Sequence, residues 1–207
     1  KMMDAVTGAI AKIKPAHLIY ISSDAVYSNS PEPLCEESLA QPDSIHGQMH
    51  VRREGMLRDA YDGPLCILRP TLIYGAADPH DGYGPNRFRR LAQKGKEIVL
   101  FGDGEERRDH VLIDDVAEII RLCIFHKSRG VLNVATGEVT SFKDIADMVV
   151  AHFDEPAPVK GSPRTGPMPH GGYRPFDIAA CQMAFPQFRF VPLAEGLAKA
   201  HAEMTGG

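Results

Sequence analysis

Short apolar runs alternate along the chain with stretches in which apolar residues recur every three or four positions, so the two periods predict strands and helices in turn. Met2, Met3, Val6, Ile10 and Ile13 form one stripe of a helix over residues 1–14, which Pro15 ends. His17-Leu-Ile-Tyr-Ile-Ser22 reads as a strand rich in branched and aromatic residues. After a proline-marked loop, Ser44 is predicted to cap a helix to about Tyr61, with Ile45, Met49, Met56 and Leu57 facing inward. Leu65 to Arg69 is a second strand, halted by Pro70, and Thr71 to Pro85 is predicted to be a long functional loop. Arg87 to Lys94 reads as helix, Glu97 to Phe101 as extended, Gly102-Asp103-Gly104 as a turn and Arg107 to Ile113 as extended again. Asp114 is predicted to cap a helix with Val116, Ile119, Ile120, Cys123 and Ile124 on one face; Val131 to Val134 is a strand, and Ser141 with Asp144 opens a helix to Phe153. Six prolines and four glycines between Asp154 and Pro175 predict irregular structure. Its cations Lys160, Arg164, His170 and Arg174 suit either an anionic ligand or a solvated surface loop. Two short helices, from Asp177 and from Leu193, follow.

Composition then narrows the function classes. The 207 residues are enough to bury a sizeable core in one domain, or one plus an appendage. A net charge of -4 argues against nucleic acid or an acidic membrane surface as partner and favours a small molecule. Cys35, Cys66, Cys123 and Cys181 stand far apart, as reduced thiols of a cytoplasmic protein would, and make no disulfide frame. No apolar run approaches the roughly 20 residues of a membrane span, and the start lacks a signal-peptide profile.

Strands alternating with helices predict an α/β fold with a parallel sheet covered on both faces. The first strand breaks into Ser23-Asp24-Ala25-Val26-Tyr27, which delivers hydroxyls and a carboxylate at its C-terminal end, facing the helix that carries His46 and His50. Open α/β sheets place their chemistry there. Four stretches occur in one order: Ile21-Ser-Ser-Asp-Ala-Val-Tyr27, Leu68-Arg-Pro-Thr-Leu-Ile-Tyr-Gly75, Phe101-Gly-Asp-Gly-Glu-Glu-Arg-Arg-Asp109 with Asp114-Asp-Val116, and Arg174-Pro-Phe-Asp177. Together they resemble the extended short-chain dehydrogenases, the NAD-dependent epimerase/dehydratase family acting on nucleotide sugars. The resemblance spans nearly the whole chain. It implies a partial Rossmann-type doubly wound parallel sheet from residues 1–80, with contributions from about 107–134, and a small substrate-binding lobe mainly from 81–207. Members of that family begin with a glycine-rich turn whose backbone amides approach the cofactor's pyrophosphate at a helix N-terminus. Neither GxxGxxG nor GxGxxG occurs here, so roughly a hundred residues of such a protein are expected upstream of Lys1.

In that family a serine or threonine hydroxyl, a tyrosine and a lysine four residues later act with the nicotinamide, the tyrosine exchanging a proton with a substrate hydroxyl. Ser23 matches the hydroxyl position, and Asp24 resembles the acid that dehydratase-like members place beside it, or closes a structural Asx-turn. His46 and His50 occupy the tyrosine and lysine positions, with Gly47 and Glu54 fixing the alignment. Imidazole does acid/base work near neutrality. It is shorter than a phenol, however, and a displacement of about 1 Å can cost on the order of a hundredfold in rate. Histidines at i and i+4 also have zinc-ligand spacing, but Gly47 stands where an HExxH glutamate would and a third ligand is missing, so no metal is assigned.

By the same resemblance, Ile21, Ser22, Pro70 and Ile73, with His46 and His50, face NAD or NADP. Ala25, Asn86, Phe88, Arg108 and Arg174 face the substrate, the two planar guanidiniums gripping a diphosphate. Arg108 alternatively pairs with Asp109 or Asp114, and Asn86 and Phe88 are alternatively cap or core. Leu72 stands where an asparagine is often found; His110 and Leu112 replace an aromatic residue and a histidine, and read as packing changes. The implied activity is NAD(P)-dependent epimerisation, dehydration or reduction of a nucleotide sugar. Its alternative is a silent protein that keeps the cofactor or nucleotide-sugar pocket. Helices 1–14 and 44–61 match those that form a four-helix bundle between subunits in that family, which implies a homodimer.

Overall fold

The computed structural model describes residues 1–206. Helix α1 (Met2–Ile13) leads into β1 (Leu18–Ile21), and after a 3-10 turn at Asp24–Val26 the chain forms α2 (Ile45–Ala60) and returns along β2 (Leu65–Pro70). Next come β3 (Leu72–Tyr74), α3 (Pro85–Gln93), β4 (Ile98–Phe101), β5 (Arg107–Arg108), β6 (His110–Leu112), α4 (Ile113–His126) and β7 (Gly130–Val134). The rest is β8 (Thr140–Ser141), α5 (Phe142–Val150), β9 (Val159–Ser162), β10 (Tyr173–Arg174), α6 (Ala179–Ala184) and α7 (Leu193–Thr205).

The central sheet is parallel, in the order β1-β2-β7, with Leu18 opposite Leu65 and Cys66 opposite Gly130. Successive strand side chains point to opposite faces. Leu18, Tyr20 and Leu65 therefore pack with Ile10, Leu57 and Tyr61 of the α1–α2 side, while Ile19, Cys66 and Leu68 meet Ile119, Cys123 and Cys181 of α4 and α6. Burial on both faces explains why these strands are continuous apolar runs. A separate core of Tyr74, Phe88, Leu100, Phe142, Ile145 and Leu197 unites α3, α5 and α7 with β3 and β4. All four cysteines are free thiols.

Several expectations are corrected. The inner face of α2 is not the apolar one: Gly47, Glu54 and Leu57 are its buried residues, whereas Ile45 is 84% exposed and Met49 39%. Glu54 goes inward because it has a buried arginine to meet there. The loop after Pro70 contains β3, paired in parallel with β6, and Pro70 itself lies within β2. The proline-rich stretch from 154 to 175 contributes β9, parallel to β4, and β10, parallel to β5. Backbone hydrogen bonds from distant strands override its composition. Asp114 does not cap α4, whose flanking residue is Leu112; it receives Lys199 Nζ at 2.5 Å. Ile124 is 59% exposed, off the buried face of that helix. The Ser44 and Ser141 caps are both formed, their hydroxyls accepting from the backbone N–H of Gly47 and Asp144.

One buried polar network fixes α2 to the sheet. Glu54 accepts from Ser22 Oγ at 2.7 Å and from Arg69 Nε and Nη2 at 3.0 and 2.7 Å. Arg69 Nη1 donates to the Tyr27 hydroxyl at 2.9 Å, its guanidinium lies over the Tyr27 ring, and that hydroxyl donates to Asn133 Oδ1 at 2.7 Å. Burial alone would raise the Glu54 pKa, but the hydrogen bonds from Arg69 and Ser22 outweigh it and hold the carboxyl below its ordinary value. Burial raises the Tyr27 pKa and keeps the phenol neutral, able to donate and accept at once. Glu54→Ala leaves the Arg69 charge buried without its partner and is expected to cost about 3–5 kcal/mol in urea unfolding. The double change Glu54→Leu with Arg69→Met should recover most of that loss, because no buried charge is then left alone.

Candidate active site at the end of strand β1

Where β1 ends, the chain turns through Ser23, whose hydroxyl accepts from the Ala25 N–H at 3.1 Å and so caps the 3-10 turn. Helix α2 packs directly on that turn. A Cβ added to Gly47 would stand 2.1 Å from the Ala25 carbonyl oxygen and 2.5 Å from Pro42 Cβ, so only glycine permits the contact. His46 precedes this contact, and His50 follows one helical turn later. Their rings meet edge to face, with centroids 4.7 Å apart. His46 is exposed and His50 partly buried. Desolvation first, then the neighbouring His46 and Arg53, lower the His50 pKa, so it is neutral at physiological pH and not a fixed cation. Its Nδ1 is buried without a hydrogen-bond partner.

Asp24 sits at the centre of a second cluster. Its carboxylate receives Arg174 Nε at 3.0 Å and lies 3.8 Å from Arg108 Nη2. Arg174 is 1% exposed; its Nη2 donates to the carbonyls of Asp24 and Tyr27, and its Nη1 lies 3.1 Å from His170 Nδ1. Arg108 keeps part of its edge open and pairs with Glu106 at 3.3 Å. Neither Asp109 nor Asp114 is its partner: Asp109 is enclosed by Thr71, Thr136 and Gly137. Asp24 is thus more than a local Asx-turn, since it joins strand β1 to a segment 150 residues away.

The structure brings Ser23, Asp24, Ala25, Arg108 and Arg174 together, with α2 and its two histidines set against the same turn. Ile21 is 39% exposed and Ile73 37%, leaving apolar surface at the ends of β1 and β3, whereas the Ser22 hydroxyl is turned inward to Glu54 and Pro70 is buried. Phe88 is corrected to core: it is 1% exposed and packs edge to face on Phe142. Asn86 is buried and holds the loop before α3, its Oδ1 accepting from the Gly75 N–H and its Nδ2 donating to Asp78. The four cations of the proline-rich segment separate into two places. Lys160 and Arg164 pair with Glu97 and Glu105, away from the Asp24 cluster that takes His170 and Arg174. Sequence reasoning missed His170 as a member of that cluster and Glu54 as a buried partner, because nothing local to either residue names a partner so distant in the chain. Among the described residues no group of three or more His, Cys, Asp or Glu has the arrangement of a metal site.

Residues 1–135 match the NAD dependent epimerase/dehydratase family. The chain is 32% identical over 154 residues to a dTDP-L-rhamnose 4-epimerase from Burkholderia thailandensis, a match that covers 70% of this chain and 40% of that protein. It therefore spans well under half the length of that curated relative. Among solved structures it superposes on UDP-glucuronic acid 4-epimerase from Bacillus cereus, in complex with UDP-glucuronic acid and NAD, with a TM-score of 0.85 and 21% identity, over 99% of this chain and 66% of that one. The UDP-glucose 4-epimerase of Thermus thermophilus in complex with NAD gives a TM-score of 0.82 at 23% identity, covering 99% and 68%. At these identities the likeness establishes a shared Rossmann-type fold.

The histidines give the fold a defined acid sensitivity. Burial, then the nearby Arg174 and Arg108, lower the His170 pKa to about 4, and burial lowers that of His110 to about 3. Both folded values lie below the value of about 6.5 for an unfolded histidine. Below pH 6.5 the unfolded chain therefore binds more protons, so the stability these groups contribute is full above that pH and is lost as pH falls toward 4 and 3. Thermal unfolding midpoints are expected to decline steadily from pH 7 to pH 4.5. His170→Asn, which suits the left-handed backbone at this position (φ 53°), should flatten part of that decline.

Proposed function

Because this chain belongs to the NAD dependent epimerase/dehydratase family, we propose that it takes part in NAD(P)-dependent epimerisation, dehydration or reduction of a nucleotide sugar, with a histidine pair in place of tyrosine and lysine. The observation that carries this reading is the forced approach of α2 to the Ser23–Val26 turn at Gly47, which sets His46 and His50 against the end of β1. Ser23 binds the reacting hydroxyl, and His46, exposed and therefore accessible, exchanges its proton. Asp24, bound by two arginines, orients Ser23 through a weak 3.4 Å contact and holds Arg108 beside the anionic part of the substrate. Arg174, fully buried, serves that position through Asp24 and by itself reaches nothing outside.

NAD or NADP, when bound, supplies the hydride acceptor and donor. The residues present suit its nicotinamide end: Ile21 and Ile73 offer exposed apolar surface at the ends of β1 and β3. Residues 1–80, with contributions from about 107–134, form the cofactor side and residues 81–207 mainly the substrate side. The free thiols and the absence, among the described residues, of any helix long and apolar enough to cross a membrane support a cytoplasmic setting.

The neutrality of His50 favours a second reading. A lysine at that position would be a permanent cation, whereas this imidazole is uncharged at neutral pH, so the pocket is also consistent with a silent binding protein. Product analysis with a panel of nucleotide sugars and added NAD separates the two. His46→Ala should abolish conversion if the pair works; in a decayed site it should leave cofactor affinity nearly unchanged, with no activity to lose. If wild type converts none of them, His46→Tyr with His50→Lys should restore turnover in a merely decayed site, and failure of both proteins to turn over any sugar while still binding cofactor would sink the enzyme reading.

The assembly follows from surface left open on α1 and α2. Met2, Val6, Ile13, Ile45 and Met49 are between 39% and 84% exposed, apolar surface on the two helices that a second copy of the chain would cover. Sedimentation at micromolar concentration should show a homodimer, and Ile45→Glu with Ile13→Glu should shift it to monomer.

A further inference from the structure

At the other end of the central sheet, where β2 and β7 begin, lies a cavity of about 300 Å³ that the chemistry proposed above leaves unused. Side chains alternate along a strand, so Leu65, Ile67 and, opposite Ile67, Val131 share one face of the sheet and form the cavity floor. A parallel sheet is normally covered on both faces. Higher on this face of β7, Tyr27 closes over Asn133 and bonds its side chain. Lower down, α2 has already ended at Ala60, and Leu65 and Val131 stay partly exposed. Gly130, at φ 96°, adds no wall there: a Cβ on it would meet nothing within 4 Å.

Two guanidiniums rim this apolar floor. Arg129 is exposed and, among the described residues, has no ion-pair or hydrogen-bond partner. Arg58 is 48% exposed and lies 3.5 Å from Glu54, whose oxygens already take three shorter hydrogen bonds from Ser22 and Arg69. Its charge is therefore largely uncompensated. Among the described residues no carboxylate lines the cavity. The side wall is Tyr61, whose hydroxyl is spent on the Pro15 carbonyl at 2.7 Å, so only its ring faces a ligand. An inorganic anion would use the guanidiniums and leave the floor wet; a neutral aromatic would use the floor and leave the charges idle. We propose that this cavity binds a small aromatic anion, its carboxylate or phosphate held by Arg58 and Arg129 and its ring on Leu65 and Val131 beside Tyr61. A planar guanidinium can grip two oxygens of either group. The site is remote from the Ser23 turn, since Arg58 stands about 18 Å along α2 from His46. It does not depend on the nucleotide-sugar reading.

Titration with phenyl phosphate and with benzoate, followed in the backbone amide NMR spectrum of the intact protein, tests it, with inorganic phosphate and phenol as controls that carry one half of the ligand each. The amide resonances of Gly130 and Val131 should move and saturate with an aromatic anion, and the tighter of the two anions names the preferred acidic group. Inorganic phosphate and phenol should each bind at least about tenfold more weakly. Arg129→Gln changes an exposed side chain without a partner, so it should leave the thermal unfolding midpoint in place and weaken the aromatic anion about tenfold. Inorganic phosphate that binds as well as phenyl phosphate shows a cationic rim only and overturns the proposal. So do resonances that move only around Asp24 and Arg108, or an Arg129→Gln variant whose affinity is unaltered.

Discussion

The ion pair between Glu54 and Arg69 governs how the rest of the molecule is placed. Arg69 is in the middle strand of the three-stranded sheet, and Glu54 is the inward residue of α2, so their two hydrogen bonds fix the rotation and height of that helix on the sheet. Ser22, Tyr27 and Asn133 complete the network and tie it to the ends of β1 and β7. A charge pair so well buried gains little net stability. Its effect is directional: a helix held only by Leu57 and its apolar neighbours has many rotations of similar energy, whereas one held by a bidentate guanidinium has one.

That fixed rotation also decides how the helix start packs. With Glu54 inward, Gly47 also faces in, two turns earlier, and meets the Ala25 carbonyl. His46 and His50 then stand beside the contact and cannot swing away from it without breaking the Glu54 network. In the proposed reading, histidines stand in place of tyrosine and lysine on a scaffold that this contact holds. His50 is neutral at physiological pH, where a lysine would be charged.

Asp24 performs a comparable task for the segment that carries Arg174. Arg174 reaches it from the far end of the chain and is consumed in doing so, which leaves Arg108 as the guanidinium with an open edge. Two arginines that the sequence presents as equivalent anion ligands thereby differ: Arg174 is enclosed, and Arg108 keeps an open edge. His170 supports the buried one, and its low pKa keeps a third positive charge out of a cluster that already holds two.

The chain's periodicity and cap chemistry determined most of the element order, the Ser44 and Ser141 helix starts, the parallel sheet and the location of polar residues at the end of β1. The elements and caps depend on neighbours within four residues, where spacing and capping act directly, and the parallel sheet follows from the alternation of strands with helices. The motif order also located the histidine pair in register. Tertiary structure alone decided that Glu54 is buried, that Phe88 belongs to the core, that Arg174 is spent on Asp24, and that β9 and β10 form inside a proline-rich segment. Each of these is settled by a partner many residues away: 15 for Glu54 with Arg69, 150 for Asp24 with Arg174. A buried charge or an unpaired strand edge takes whatever complement the fold brings to it, and no local pattern records which residue that is.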